Sequence, residues 1–180
     1  MNIPNALTMM RIVLVPVIII LLMQGAYLKA LVLFSVSGIT DALDGFLARV
    51  LKQQTTLGAY LDPIADKALI MSCFITLSVK SAIPGWLTVI VISRDCIILL
   101  GIGVLVLLST TFQIRPSVVS KVTTTLQLLT VFFVLLARSV PMPPGLEVVL
   151  TAFFVVTALF TAASGIDYLF RGVKLMNRAT

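Results

Sequence analysis

The sequence predicts an all-α, polytopic membrane protein with six transmembrane helices. Three observations predict it: an apolar composition, six separated hydrophobic runs, and a one-sided distribution of basic residues. Of the 180 residues, 59% are hydrophobic and 11% are charged, against about 25% charged in an ordinary soluble domain. Mean hydropathy is +1.15. A soluble fold of this size has too little interior to hide so much apolar surface, so lipid is the expected solvent for most of the chain.

Breaks in the apolar runs place spans at about 8–24, 29–50, 58–80, 84–108, 117–139 and 146–170. Each is close to the ~20 residues that cross a bilayer as a helix. The first span is expected to open with a short interfacial helix from Pro4 to Arg11. Gly25, the stretch Ser81 to Gly85 and the stretch Pro141 to Gly145 mark turns on one side. Loops around 53–56 and 113–117 mark the other. No internal repeat or low-complexity segment interrupts the pattern, so residues 1–180 read as one membrane domain.

Basic residues fix the orientation. Arg11, Arg49, Lys52, Lys67, Arg115, Lys121, Arg171, Lys174 and Arg178 fall on one side, and Lys29, Lys80 and Arg138 on the other. Both termini are therefore expected in the cytoplasm. The apolar stretch after Arg11 also has the look of a signal peptide, but five further spans make a retained helix the more economical reading. No Arg- and Ser-rich transit segment stands before it, which points to a bacterial cytoplasmic membrane.

Composition also removes chemistries. With no histidine, acid–base or metal work falls to carboxylates. Cys73 and Cys96 sit in apolar runs without disulfide or zinc spacing. The net charge of +6 is scattered around helix ends, which suits anionic headgroups or substrates and not nucleic acid.

Seven acidic residues are present, and Asp41, Asp44, Asp62 and Asp66 fall close together in the cytoplasmic parts of spans two and three. An ionisable side chain within a span is costly unless paired, solvated or metal-bound, and so reads as functional. Asp41 and Asp44 are spaced i, i+3, and Asp62 and Asp66 are spaced i, i+4, so each pair shares a helix face. A short connection makes the two helices antiparallel neighbours and lets all four carboxylates converge. Arg49 and Lys67 cannot neutralise four such charges, which repel one another strongly. Oxygen-only, highly charged ligand sets suit Mg²⁺ or Mn²⁺, with Ca²⁺ a further candidate. Two divalent ions balance the four charges and suit a diphosphate. Gly45, Ala48 and Gly58 leave room beside the helix backbone for a bulky ligand.

The string Asp41-Ala42-Leu43-Asp44-Gly45-Phe46-Leu47-Ala48-Arg49, followed after eight residues by Gly58-Ala59-Tyr60-Leu61-Asp62-Pro63-Ile64-Ala65-Asp66, resembles the signature of the CDP-alcohol phosphotransferases at every fixed position. The resemblance implies a homodimer whose protomers each carry a polar cavity open to the cytoplasm. It implies two divalent metals held by Asp41, Asp44, Asp62 and Asp66. It implies that Asp41, Asp44, Gly45, Ala48, Arg49 and Gly58 bind the CDP moiety, with Arg49 on its phosphates. Asp66 is implied as the general base, taking the proton of an acceptor hydroxyl that displaces CMP in line from CDP-diacylglycerol.

The acceptor is read from weaker signals. Asn2 to Thr8 with Arg11 resembles both the phosphatidylglycerophosphate synthase and the cardiolipin synthase branches. Ile92 to Asp95 and Arg115 to Gln127 resemble the cardiolipin branch more. The branch using sn-glycerol 3-phosphate usually has Arg-Glu at Arg94-Asp95, arginine at Ile102 and glycine at Ser120. A dianionic monoester favours clustered arginines, whereas Arg94, Arg115 and Lys121 suffice for the diester of phosphatidylglycerol. Phosphatidylglycerol is thus the favoured acceptor and sn-glycerol 3-phosphate the alternative. The alternative reading of Arg115 and Lys121 is as cytoplasmic anchors. A cation-coupled transporter is the rival from another class. Such proteins place carboxylates near the midplane, at broken helices within inverted repeats, and this chain shows no repeat. A scaffold protein, the second rival, predicts replaceable acids and no metal dependence.

Overall fold

The computed structural model describes the backbone of residues 3–50, 56–107, 118–140 and 145–179, and side chains over 9–41, 65–100, 118–140 and 145–170. The described residues form six helices and no strand. They are α1 (Ile3–Met23), α2 (Tyr27–Val50), α3 (Thr56–Val79), α4 (Gly85–Leu107), α5 (Val118–Ser139) and α6 (Leu146–Ala179). Each falls on one hydrophobic run of the sequence. Two departures stand out. α1 is one continuous helix from Ile3, with no break between an interfacial piece and a span. α6 continues beyond 170 into a basic segment.

The helix ends follow from local backbone chemistry. α1 closes in a Schellman motif: Ala26 N–H donates to the Leu21 carbonyl at 2.9 Å and Gly25 N–H to that of Leu22 at 3.1 Å. Gly25 takes the required left-handed conformation, with φ +74°. α3 ends in the same way, Ala82 N–H reaching Leu77 at 2.8 Å and Ser81 N–H reaching Ser78 at 2.9 Å. Here a serine, Ser81, carries the positive φ of 53°. Pro84 follows at once and its carbonyl receives the N–H groups of Leu87 and Thr88, opening α4.

The chain divides into two compact units. The first comprises residues 1–83 and 131–143. In it α1 packs against both α2 and α3. Its core is a set of helical stripes: Ile18 and Leu22 on α1, Ala30 and Phe34 on α2, and Leu69, Cys73, Phe74 and Leu77 on α3. The second unit comprises residues 84–130 and 144–180. There α4 packs on α6, with Leu87, Val91, Phe154 and Ala158 buried. Its interior is also polar. Thr123, Gln127 and Thr130 on α5 and Thr157, Thr161 and Ser164 on α6 are all buried.

These hydroxyls link α5 to α6. The Thr130 and Thr157 hydroxyls are 2.9 Å apart, and Thr123 donates to the Phe160 carbonyl at 3.0 Å. Interhelical hydrogen bonds of this kind join helices where lipid removes the hydrophobic drive to associate. Outward-facing positions are aliphatic, among them Val13, Ile20, Val32, Ile39, Val89, Leu100, Val148 and Leu159. Among the described residues, Val118–Ser139 and Leu146–Phe170 are long and apolar enough to cross a membrane.

Candidate functional site

Asp41 sits on α2 and Asp66 on α3, so one carboxylate comes from each half of the acidic motif. A guanidinium from a third helix, α1, brings them together. Arg11 Nη2 lies 2.6 Å from Asp41 Oδ1, and Arg11 Nη1 lies 2.7 Å from Asp66 Oδ1. These are charge-assisted lengths. The two arms belong to one planar group, so the two carboxylate oxygens are fixed side by side.

Burial is unequal across this cluster. Arg11 is 2% exposed, while each carboxylate retains 38%. The guanidinium is packed away, while part of each carboxylate side chain stays at the surface. Burying an arginine in an apolar helix is costly unless it is paired, and the two aspartates supply that pairing. One turn before Asp41, Ser37 is fully buried and its hydroxyl has no hydrogen-bond partner. Ala65, beside Asp66, is also buried, which keeps that segment of α3 closely packed.

α2 and α3 run through the remaining motif positions, but the side chains of Asp44, Gly45, Ala48, Arg49, Gly58 and Asp62 lie outside those described. Among the described residues no three His, Cys, Asp or Glu side chains form a metal-binding group. Asp41 and Asp66 are the two members of the acidic quartet that are described. Their donor chemistry fits a hard divalent cation: adjacent carboxylate oxygens that are partly exposed.

The residues expected to meet the acceptor fall in the second unit. Arg94 is 3% exposed and its neighbour Asp95 is 1% exposed. Arg94 Nη1 donates to Asp95 Oδ1 at 2.6 Å. Nη2 donates to the hydroxyls of Ser120 at 2.6 Å and Ser164 at 2.9 Å. Nε also points to Ser164, at 3.3 Å. Arg94 thus ties α4 to α5 and α6, and its aliphatic stem passes over Gly165. Lys121 is exposed, next in sequence to the Ser120 that Arg94 holds. Arg115 lies outside the described residues.

Arg11 is the site residue that sequence reasoning left among the basic anchors. One signal marked it: no other charged side chain occurs before Lys29. Ser164, one of the two hydroxyls that Arg94 holds, carried no comparable mark.

The chain is similar to known proteins over nearly its whole length. A probable phosphatidylglycerophosphate synthase of Mycobacterium tuberculosis is 36% identical, over 96% of this chain and 82% of its own length. The CMP-forming cardiolipin synthase of Rattus norvegicus is 35% identical over 96% of this chain and 62% of its own length. The CDP-diacylglycerol–glycerol-3-phosphate 3-phosphatidyltransferase of Aquifex aeolicus is 31% identical over 98% of both chains. The family profile described as CDP-alcohol phosphatidyltransferase matches residues 1–163, a span that takes in Arg11, both halves of the acidic motif, and the Arg94–Asp95 pair. With its acidic motif on two successive helices and two helices long and apolar enough to cross a membrane among the described residues, this chain belongs to the CDP-alcohol phosphatidyltransferase family.

Proposed function

We propose that this protein transfers the phosphatidyl group of CDP-diacylglycerol to the free hydroxyl of phosphatidylglycerol, forming cardiolipin and releasing CMP. Phosphatidyl transfer from a CDP-linked lipid follows from family membership. The acceptor, the metals and the residue roles are our reading. The observation that carries it is the pairing of Asp41 and Asp66 across Arg11, which draws carboxylates from both halves of the motif to one place.

Asp41, Asp44, Asp62 and Asp66 would hold two divalent ions, Mg²⁺ or Mn²⁺, with Ca²⁺ also suited to the oxygen ligands. Such ions supply charge stabilisation on the diphosphate and on the departing phosphate. Gly45, Ala48 and Gly58 make room for the cytidine diphosphate, and Arg49 binds its phosphates. Asp66 accepts the proton of the acceptor hydroxyl. The oxygen so freed forms a bond to the phosphorus that carries diacylglycerol, and the bond from that phosphorus to CMP breaks. Arg115 and Lys121 supply positive charge to the acceptor phosphate. Arg94, its charge balanced by Asp95, orders Ser120 next to Lys121. We further propose six spans with both termini cytoplasmic, in a bacterial cytoplasmic membrane, and a homodimer as in the family resemblance.

A second reading has specific support. The relatives from Mycobacterium tuberculosis and Aquifex aeolicus are named for glycerophosphate-dependent synthesis, which makes sn-glycerol 3-phosphate the alternative acceptor. Against it stand Ile102 and Ser120, where that branch usually carries arginine and glycine. The deciding experiment measures CMP release by detergent-purified protein given CDP-diacylglycerol and Mn²⁺ with each acceptor separately. Release with phosphatidylglycerol alone supports the proposal. Release with sn-glycerol 3-phosphate alone replaces the acceptor, and release with neither, unaffected by EDTA, removes the enzyme reading.

A further inference from the structure

α6 is longer than a bilayer span requires. Its apolar stretch closes at Phe170, yet the helix runs on to Ala179. At about 1.5 Å per residue its 34 residues measure about 51 Å, against about 30 Å of hydrocarbon and about 40–45 Å with the headgroups. With Leu146–Phe170 across the membrane, the last turns stand in the headgroup layer. Their sequence suits that layer. From Arg171 to Ala179 there are three basic residues and no acidic one. Arg171, Lys174 and Arg178 are spaced i, i+3, i+7, which is one side of a helix. Val173 and Met176 continue the row of Ile166 and Leu169 on the other side, and Ile166 and Leu169 are largely exposed. Asp167 stands four residues before Arg171, a spacing at which it can offset that charge. No acidic residue lies within a turn of Lys174 or Arg178. So short a segment, with Gly172 inside it, does not hold a helix in water by propensity. It needs a surface that takes its apolar row and its charges together. The family profile ends at residue 163, so this segment lies outside the matched region.

We propose that α6 beyond Phe170 is a docking surface for the anionic phospholipid headgroups of the adjoining leaflet. The apolar row suits the acyl boundary and the basic row suits lipid phosphates. Charge complementarity selects the occupant: a basic, amphipathic segment directly following a span faces a leaflet surface that is negative when anionic lipid is present. The surface gathers anionic lipid around the protein whether or not that lipid is turned over. This inference rests on Leu146–Phe170 crossing the bilayer, and not on the acceptor or the metal site.

The test is amide hydrogen exchange of the full-length protein in lipid nanodiscs, one set of phosphatidylcholine alone and one of phosphatidylcholine mixed with phosphatidylserine. Phosphatidylserine is anionic and is neither of the two candidate acceptors, so headgroup binding is read apart from turnover. Exchange over 171–179 is expected to slow about fivefold in the anionic discs, the scale of one basic residue engaged near a charged leaflet. High salt should abolish the slowing, and so should the double variant Lys174→Gln/Arg178→Gln, while Lys174→Arg should keep it. Equal exchange in the two sets of discs overturns the proposal. A slowing that survives both salt and the double variant overturns it as well, because charge is then not the cause. Exchange over 146–170 reads the span separately. Protection there without a lipid effect over 171–179 sinks the docking surface alone, whereas free exchange over 146–170 removes the span and the proposal with it.

Discussion

Arg11 and Asp66, far apart in sequence and on different helices, meet at 2.7 Å through Nη1 and Oδ1. The contact sets a buried cation against Asp66, whose side chain stays 38% exposed. A carboxylate held this way is fixed in direction, which suits the proton-accepting role proposed for it.

Replacing that carboxylate should separate chemistry from folding. Asp66→Asn is expected to lower CMP release by about 10²–10⁴-fold, the usual contribution of a general base. It also leaves Arg11 one ionic partner short, costing about 1–3 kcal/mol as the loss of a charged hydrogen bond. Asp41→Asn should cost a similar amount of stability. Thermal unfolding in detergent reads the second effect and CMP release the first. An active Asp66→Asn protein would exclude the proposed base.

Much of this architecture was legible in the sequence because lipid imposes a simple rule. Backbone polar groups need internal partners in the bilayer, so each apolar run became a helix, and Gly25 and Pro84 fell where α1 ended and α4 began. The pairing of Asp41 with Asp66 followed from their positions on successive helices. Arg11 did not, because spacing within α2 and α3 says nothing about a side chain arriving from α1. The fate of Arg94 was also hidden. Its charge suggested a ligand, and only tertiary packing places Asp95, Ser120 and Ser164 around it. The uninterrupted start of α1 at Ile3 likewise depends on packing, since a boundary near Arg11 reads equally well from hydropathy.

Ser81 is a site where stability should rise. It is the non-glycine residue with positive φ among those described, at 53°, a conformation that costs an L-residue about 1–2 kcal/mol. Its role at the end of α3 is carried by the backbone: its N–H reaches Ser78, and its carbonyl accepts from Arg138 Nη2 at 3.0 Å. Ser81→Gly keeps both bonds and removes the Cβ penalty. The expected gain is about 0.5–1 kcal/mol, since glycine's greater freedom in the unfolded chain returns part of it. A lower melting temperature in detergent would mean that the serine side chain has a role of its own.

Thr130 and Thr157 offer a measure of how much polar contacts bind α5 to α6. Their hydroxyls are 2.9 Å apart and both residues are fully buried. Thr130 also donates to the Leu126 carbonyl at 2.7 Å, which leaves Thr157 the natural donor across the interface. Thr130→Val and Thr157→Val should show a coupling of about 0.6 kcal/mol in a double-mutant cycle, the average for such bonds in membrane bundles. Zero coupling would mean that each hydroxyl is satisfied within its own helix.

The Arg94–Asp95 pair should prove the more sensitive of the two ionic clusters, because neither partner has an open side. Both are almost fully buried, and the guanidinium spends its donors on Asp95, Ser120 and Ser164. Removing one member of such a pair strands the other, at about 3–5 kcal/mol. Asp95→Asn and Arg94→Met should each approach that loss, whereas the double variant Arg94→Met/Asp95→Leu should recover much of it by leaving no charge behind. Arg94→Lys should rescue little, since one ammonium cannot span a carboxylate and two hydroxyls as a planar fork does. Kinetics then separate structure from specificity. If Arg94 acts by ordering Ser120 beside Lys121, Ser120→Ala should raise KM for the lipid acceptor several-fold while leaving KM for CDP-diacylglycerol in place. A Ser120→Ala protein with both constants unchanged would confine Arg94 to holding three helices together.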